Sequence, residues 1–128
     1  MTLIDSHCHL YLEDFTEDIN AIMQRADTQG VKKFYMPAID SKETDRLLSM
    51  EKKFPGKCFA MMGLHPCSVK ENYKTELRLV EDWLAKRKFA AVGETGLDFY
   101  WDKTFIAEQY DALRMQIEWG IQYDLPVV

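Results

Sequence analysis

Three short clusters hold most of the side chains in this sequence that can do chemistry: Asp5-Ser6-His7-Cys8-His9, Gly63-Leu64-His65-Pro66 and Gly93-Glu94-Thr95-Gly96-Leu97-Asp98. His7 and His9 flank Cys8 on a segment that should be extended. Side chains alternate there, so both imidazoles face one way and Cys8 faces the other, into packing. Two imidazoles at i, i+2 leaving a strand can hold one metal ion together. Asp5 shares their face and can orient a ligand from behind; two ordinary loop histidines are the plainer alternative. Glu94 follows Phe89-Ala90-Ala91-Val92 and Gly93, so an apolar run delivers a carboxylate at its end. A buried carboxylate needs a cationic partner, either a metal ion or a basic side chain. His65 is a single ring without a neighbouring ligand, suited to touching substrate, to supporting a ligand, or to a structural hydrogen bond. Asp98 and Tyr100 can reach the same place, although a loop-capping Asp and a packing Tyr explain them equally well.

Other chemistries lack their signatures. No GxSxG elbow or Ser/His/Asp order points to an acyl-enzyme, and neither GxGxxG nor GxxxxGK[ST] is present. Trp83, Trp101 and Trp119 form no evident stacking platform. Sixteen Lys+Arg against 21 Asp+Glu leave a net charge of −5, which excludes nucleic-acid binding through a broad basic face. It leaves nucleic acid open as a substrate held by metal ions. Cys8, Cys58 and Cys67 are odd in number and lack CxxC spacing, so a reducing cytoplasm is the expected home. The start, MTLIDSHCHL, has neither the basic opening nor the long apolar run of a signal peptide, and no stretch is apolar enough to span a membrane.

The elements that must position these clusters alternate regularly. Strands are expected at Thr2–Ile4, Val31–Met36, Cys58–Met62, Phe89–Val92 and Leu125–Val128, at the spacing of about 30 residues that βα units need. A first helix should open at Thr16-Glu17-Asp18 with Thr16 as cap, bury Ile19, Ile22, Met23 and Ala26, and stop at Gly30. A second is signalled by Asp40 with Glu43 and by Leu47, Leu48 and Phe54, and ends at Pro55. A third starts at Thr75 with Leu77, Val80 and Leu84. The fourth starts near Thr104, with Ile106, Tyr110, Leu113, Ile117 and Ile121 as its apolar stripe. This rhythm fits an open doubly wound sheet or part of a (β/α)8 barrel. Polar clusters at the carboxyl ends of three separate strands decide for the α/β barrel, whose chemistry sits on that face. A barrel typically has about 250 residues, so residues 1–128 are expected to supply the first four βα units and the start of strand five. They form one domain, the N-terminal half of a barrel, with no second domain.

Taken together, Ile4-Asp5-Ser6-His7-Cys8-His9-Leu10, Gly63-Leu64-His65-Pro66 and Gly93-Glu94-Thr95-Gly96-Leu97-Asp98-Phe99-Tyr100 resemble the TatD family of metal-dependent hydrolases, within the amidohydrolase superfamily. The stretch from Gln116 to Val128 also looks like that family's approach to its fifth strand. A glutamate after strand four separates this group from relatives that use a carboxylated lysine there. The resemblance implies phosphodiester hydrolysis, typically of DNA, with two divalent ions (Mg, Mn or Zn). It implies His7 and His9 on one metal, and Glu94 binding or bridging to the second. His65, Asp98 and Tyr100 would lie toward substrate, with His65 beside Glu94 in catalysis and Asp5 behind the ligands. Hydrolysis of a small amide or ester is the alternative within the same fold. The resemblance further implies ligands, two histidines and an aspartate, beyond residue 128. The chain therefore reads as a fragment, with two copies meeting to cover an open strand edge as the alternative. The 128 residues alone are expected to bind metal weakly, to hydrolyse nothing and to self-associate through their unpaired edges.

Overall fold

The computed structural model describes residues 1–128. Three strands, β1 (Leu3–Asp5), β2 (Val31–Met36) and β3 (Cys58–Ala60), form a parallel sheet in chain order. Leu3 pairs with Val31 and Asp5 with Phe34, with one irregularity after Leu3; β2 pairs Phe34 with Cys58 and Met36 with Ala60. The sheet then continues as two isolated parallel bridges, Met62 to Val92 and Val92 to Val127. The backbone ladder carries across them. Ala90 N–H donates to the Ala60 carbonyl (2.9 Å), Met62 N–H to Ala91 (3.1 Å), and Val92 N–H to Pro126 (2.8 Å). The fourth and fifth segments thus lie where strands were expected but pair more sparsely. Pro126 has no N–H to give, so the fifth segment contributes its carbonyl and the Val128 amide, which donates to Val92 (2.9 Å). Parallel neighbours in strict chain order are the wall of a barrel rather than the crossed order of a doubly wound sheet.

The helices are α1 (Ile19–Thr28), α2 (Thr44–Lys53), α3 (Tyr73–Lys86) and α4 (Ile106–Gln122). They cover a core in which Met36, Leu47, Met62, Leu64, Leu77, Val69 and Val92 are fully buried. None is long and apolar enough to cross a membrane. Thr16 does not cap α1. Residues 13–15 form a short 3-10 turn, and the Thr16 amide closes it onto Glu13 (3.0 Å), leaving Asp18 at the helix start without a side-chain cap bond. Asp40 likewise serves the loop before α2, accepting from Lys42 N–H (3.0 Å) and the Ser68 hydroxyl (3.2 Å). Tyr73, not Thr75, starts α3.

The largest departure is the face of α4. Ile106, Tyr110, Ile117 and Ile121, expected inside, are exposed, Tyr110 at 55% and Ile121 at 78%. Gln109, Ala112, Gln116, Trp119 and Gly120 are buried instead. The reason is hydrogen bonding. Gln109 exchanges two bonds with the Asp98 backbone (2.8 and 2.9 Å), and Gln116 serves Leu64 and Thr95, so two amide side chains turn inward. Apolar periodicity counts such residues as outward-facing. The outer sides of β1 and of the fifth segment are unpaired, with Leu3, Ile4, Val127 and Val128 partly exposed.

Candidate metal centre

His7 and His9 leave the carboxyl end of β1. Asp5, the last residue of that strand, accepts a hydrogen bond from the His7 amide (3.2 Å), so it shapes the ligand loop through its backbone rather than through a ring. Cys8 turns the other way. Its amide donates to the Tyr35 carbonyl (3.1 Å) and its sulfur packs on the core. Burial pushes the Cys8 thiol up to about 12, the behaviour of an inert packing residue.

Glu94 is held by reciprocal backbone bonds across the sheet. Its amide donates to the Ala38 carbonyl (3.1 Å), and the Ala38 amide donates to Gly93 (3.0 Å). Two glycines allow the strand ends to close in. A Cβ on Gly63 would sit 2.7 Å from the Gly93 carbonyl carbon, and one on Gly93 would sit 2.7 Å from the Val128 oxygen. Only residues without side chains permit that approach.

This brings together four of the residues singled out by sequence. Glu94 Oε2 lies 3.0 Å from His7 Nε2 and 3.3 Å from His9 Nε2, while Glu94 Oε1 lies 3.2 Å from His65 Nε2. Ligand atoms of His7, His9 and Glu94 all fall within 4.8 Å of one another. His65 sits apart from that trio in its chemistry. Its Nδ1 accepts the Cys67 amide (3.0 Å), so in the neutral ring Nε2 carries the proton and donates toward Glu94. Burial holds the His9 imidazole below its usual range, against the raising pull of Glu94. No lysine or arginine pairs with Glu94, whose ionic neighbours are three imidazoles. Two imidazole nitrogens converging on one carboxylate oxygen suit a divalent cation.

Asp98 and Tyr100 do not touch this group. Asp98 accepts from the Tyr100 amide (2.9 Å) and from the Cys67 thiol (3.3 Å), which capping of its own loop explains. Tyr100 is exposed and meets Trp101 edge-on, ring centroids 4.8 Å apart.

Two supporting residues escaped the sequence reading. Gln116 on α4 accepts from Leu64 N–H (2.7 Å) and donates to the Thr95 hydroxyl (2.8 Å), tying the residue before His65 to the residue after Glu94. Its signal was an amide in register with Gln109, Ala112 and Trp119. Tyr11 contacts His9 Nδ1 at 2.9 Å. Its one signal in the sequence is its place two residues past His9, in the turn that leaves the histidine pair.

Known proteins share this chain's sequence and fold. The family described as TatD related DNase matches residues 4–128. This chain belongs to that family. It is similar to the metal-dependent hydrolase YjjV of Escherichia coli (strain K12), 34% identical over 127 residues, covering 98% of this chain and 49% of YjjV. The crystal structure of YjjV superposes with a TM-score of 0.89 over 98% of this chain. Human deoxyribonuclease TATDN3 is 26% identical over 139 residues, and the 3'-5' ssDNA/RNA exonuclease TatD of Yersinia pseudotuberculosis 25% over 125. A TatD family hydrolase from Entamoeba histolytica shares the fold, with a TM-score of 0.76. These structural neighbours are TatD barrels, so the fold is a partial (β/α)8 barrel. The chain spans about half the length of the curated relatives it matches.

Proposed function

We propose that the protein to which these residues belong is a metal-dependent nuclease that hydrolyses phosphodiester bonds of DNA. The observation that carries this is the convergence of His7, His9 and Glu94 at the carboxyl ends of two parallel strands, in a chain of the TatD related DNase family. A divalent cation held there would supply polarisation of a phosphate oxygen and a water molecule acidic enough to attack near neutral pH. His7 and His9 would hold such an ion through Nε2, with Glu94 as the carboxylate beside them. Glu94 Oε1, on the other side of the carboxylate and 3.2 Å from His65 Nε2, would be the oxygen available to a second ion, so we infer two ions of the Mg, Mn or Zn type. His65 presents an Nε2–H bond toward the same space, suited to a phosphate oxygen. Asp5 positions the His7 backbone. Asp98 and Tyr100, one loop out from His65, are assigned to the rim where substrate enters.

In this reading residues 1–128 are the N-terminal half of one barrel domain, and its remaining ligands come from the other half. The three cysteines are all free thiols, which supports a reducing cytoplasmic setting. The test is the natural-length protein incubated with Mg²⁺, Mn²⁺ or Zn²⁺ and single-stranded DNA, duplex DNA, RNA and cyclic amides. Metal-dependent DNA cleavage that EDTA abolishes is expected. Turnover of the amides alone would sink the proposal.

A further inference from the structure

Two of the three imidazoles around the Glu94 carboxylate, His9 and His65, have outer nitrogens that meet opposite kinds of partner. The Tyr11 ring is 5% exposed, and its hydroxyl has two neighbours: the Pro37 carbonyl oxygen at 2.7 Å and His9 Nδ1 at 2.9 Å. A phenol has one proton to give, and a carbonyl can only accept. The proton therefore goes to Pro37, and the hydroxyl oxygen is left as an acceptor for His9. His9 Nδ1 must then carry the hydrogen. A neutral imidazole has only one N–H, so Nε2 keeps a bare lone pair, 3.3 Å from Glu94 Oε2. At His65 the outer partner is the Cys67 amide, which only donates, and the proton sits on Nε2.

We propose that Tyr11 is a positioning residue that fixes His9 in the Nδ1–H tautomer and so keeps its Nε2 lone pair open to a metal ion. The carbonyl of Pro37 polarises the relay from one end and the ring of His9 delivers it at the other. The edge-on packing of the two rings, centroids 5.7 Å apart at 73°, also fixes the imidazole plane. This builds in a division of labour across one carboxylate: His9 is set to ligate, and His65 is set to donate a hydrogen bond. Partners behind a metal-binding histidine commonly raise metal affinity 10–100-fold by this means. The proposal rests on the metal reading above, but the tautomer can be read without metal.

The experiment is a long-range ¹H–¹⁵N spectrum of the metal-free, natural-length protein and of Tyr11→Phe, followed by Zn²⁺ titration by competition with a chelating dye. The wild type should show Nδ1–H at His9 and Nε2–H at His65. In Tyr11→Phe, His9 should change to Nε2–H, donating into Glu94, while His65 stays as it was; Zn²⁺ should bind about 10–100-fold more weakly. A general loosening of the fold would disturb both rings, so the unchanged His65 signal separates positioning from damage. Nε2–H at His9 in the wild type overturns the proposal even if the variant fails to fold. An unchanged His9 tautomer or unchanged Zn²⁺ affinity in a folded Tyr11→Phe overturns it as well. If the wild type has the expected tautomers but takes up no metal, the metal reading fails and the role of Tyr11 in setting the tautomer stands.

Discussion

Replacing Gln116 by Leu should cost stability and loosen the site at once. Gln116 and Leu64 are both fully buried, so when the amide goes no water reaches the Leu64 N–H that it now holds at 2.7 Å. A buried donor left without a partner costs about 1–3 kcal/mol. The other losses are smaller. The Thr95 hydroxyl can rotate, and the bond the Leu64 carbonyl loses is a long one (3.2 Å). Leu fills a similar volume, so the cavity contribution is minor, and the expected total is about 2 kcal/mol. Urea unfolding should show this as a lower midpoint with an unchanged slope. Because Leu64 precedes His65 and Thr95 follows Glu94, divalent-metal affinity should fall in the same variant. Gln116→Glu supplies the sign. It keeps an acceptor for Leu64 N–H but loses the donor, and its buried carboxyl should titrate above the free value near 4.3. The protonated form restores the donor, so this variant should be most stable in acid and lose stability as pH rises through the raised pKa. A change under about 0.5 kcal/mol in Gln116→Leu, with metal affinity untouched, would refute the hydrogen-bond accounting.

His7→Ala and Glu94→Gln in the natural-length protein should each remove most divalent-metal binding by calorimetry while leaving the circular dichroism spectrum intact; parent-like titrations would undo the assignment. Cys8→Ser should be far milder for metal, since its sulfur faces the Tyr35 side of the loop. Gly93→Ala should destabilise by about 1–3 kcal/mol, because the new methyl meets the Val128 carbonyl, and thermal melts check it. Burial raises all three thiols, Cys8 to about 12 and Cys58 to about 11, so at pH 8 they stay protonated. Alkylation by iodoacetamide should be slow until denaturant is added.

What was legible in the sequence has a common physical basis. The imidazole pair could be read because two residues apart on a chain leaving a strand can share one face; β1 ends at Asp5, yet His7 and His9 do converge on Glu94. The barrel wall could be read because polar clusters ended apolar runs at regular spacing. Periodicity failed on α4, where inward-turned Gln109 and Gln116 exchange hydrogen bonds with loop backbones that no helix pattern contains. Capping preference failed at Thr16, because a 3-10 turn used that residue before the helix began. Tyr11 and Gln116 went unnoticed since each acts through a neighbour whose position depends on the whole sheet.

The span between the histidine pair and its carboxylate sets a timetable for the nascent protein. His7 and Glu94 are 87 residues apart. At ordinary translation speeds the two imidazoles leave the ribosome roughly 4–17 s before the group that completes their trio. Through that interval they are an unfinished, freely hydrated chelate. Closing the trio requires β1, β2 and β3 to be aligned first, because the Glu94 amide is anchored on Ala38 beyond β2, and the neighbouring Thr95 amide waits for Val128 (2.9 Å). At the proposed site, capture of a metal ion by all three residues would therefore come late, a report that four successive βα units have already found their places.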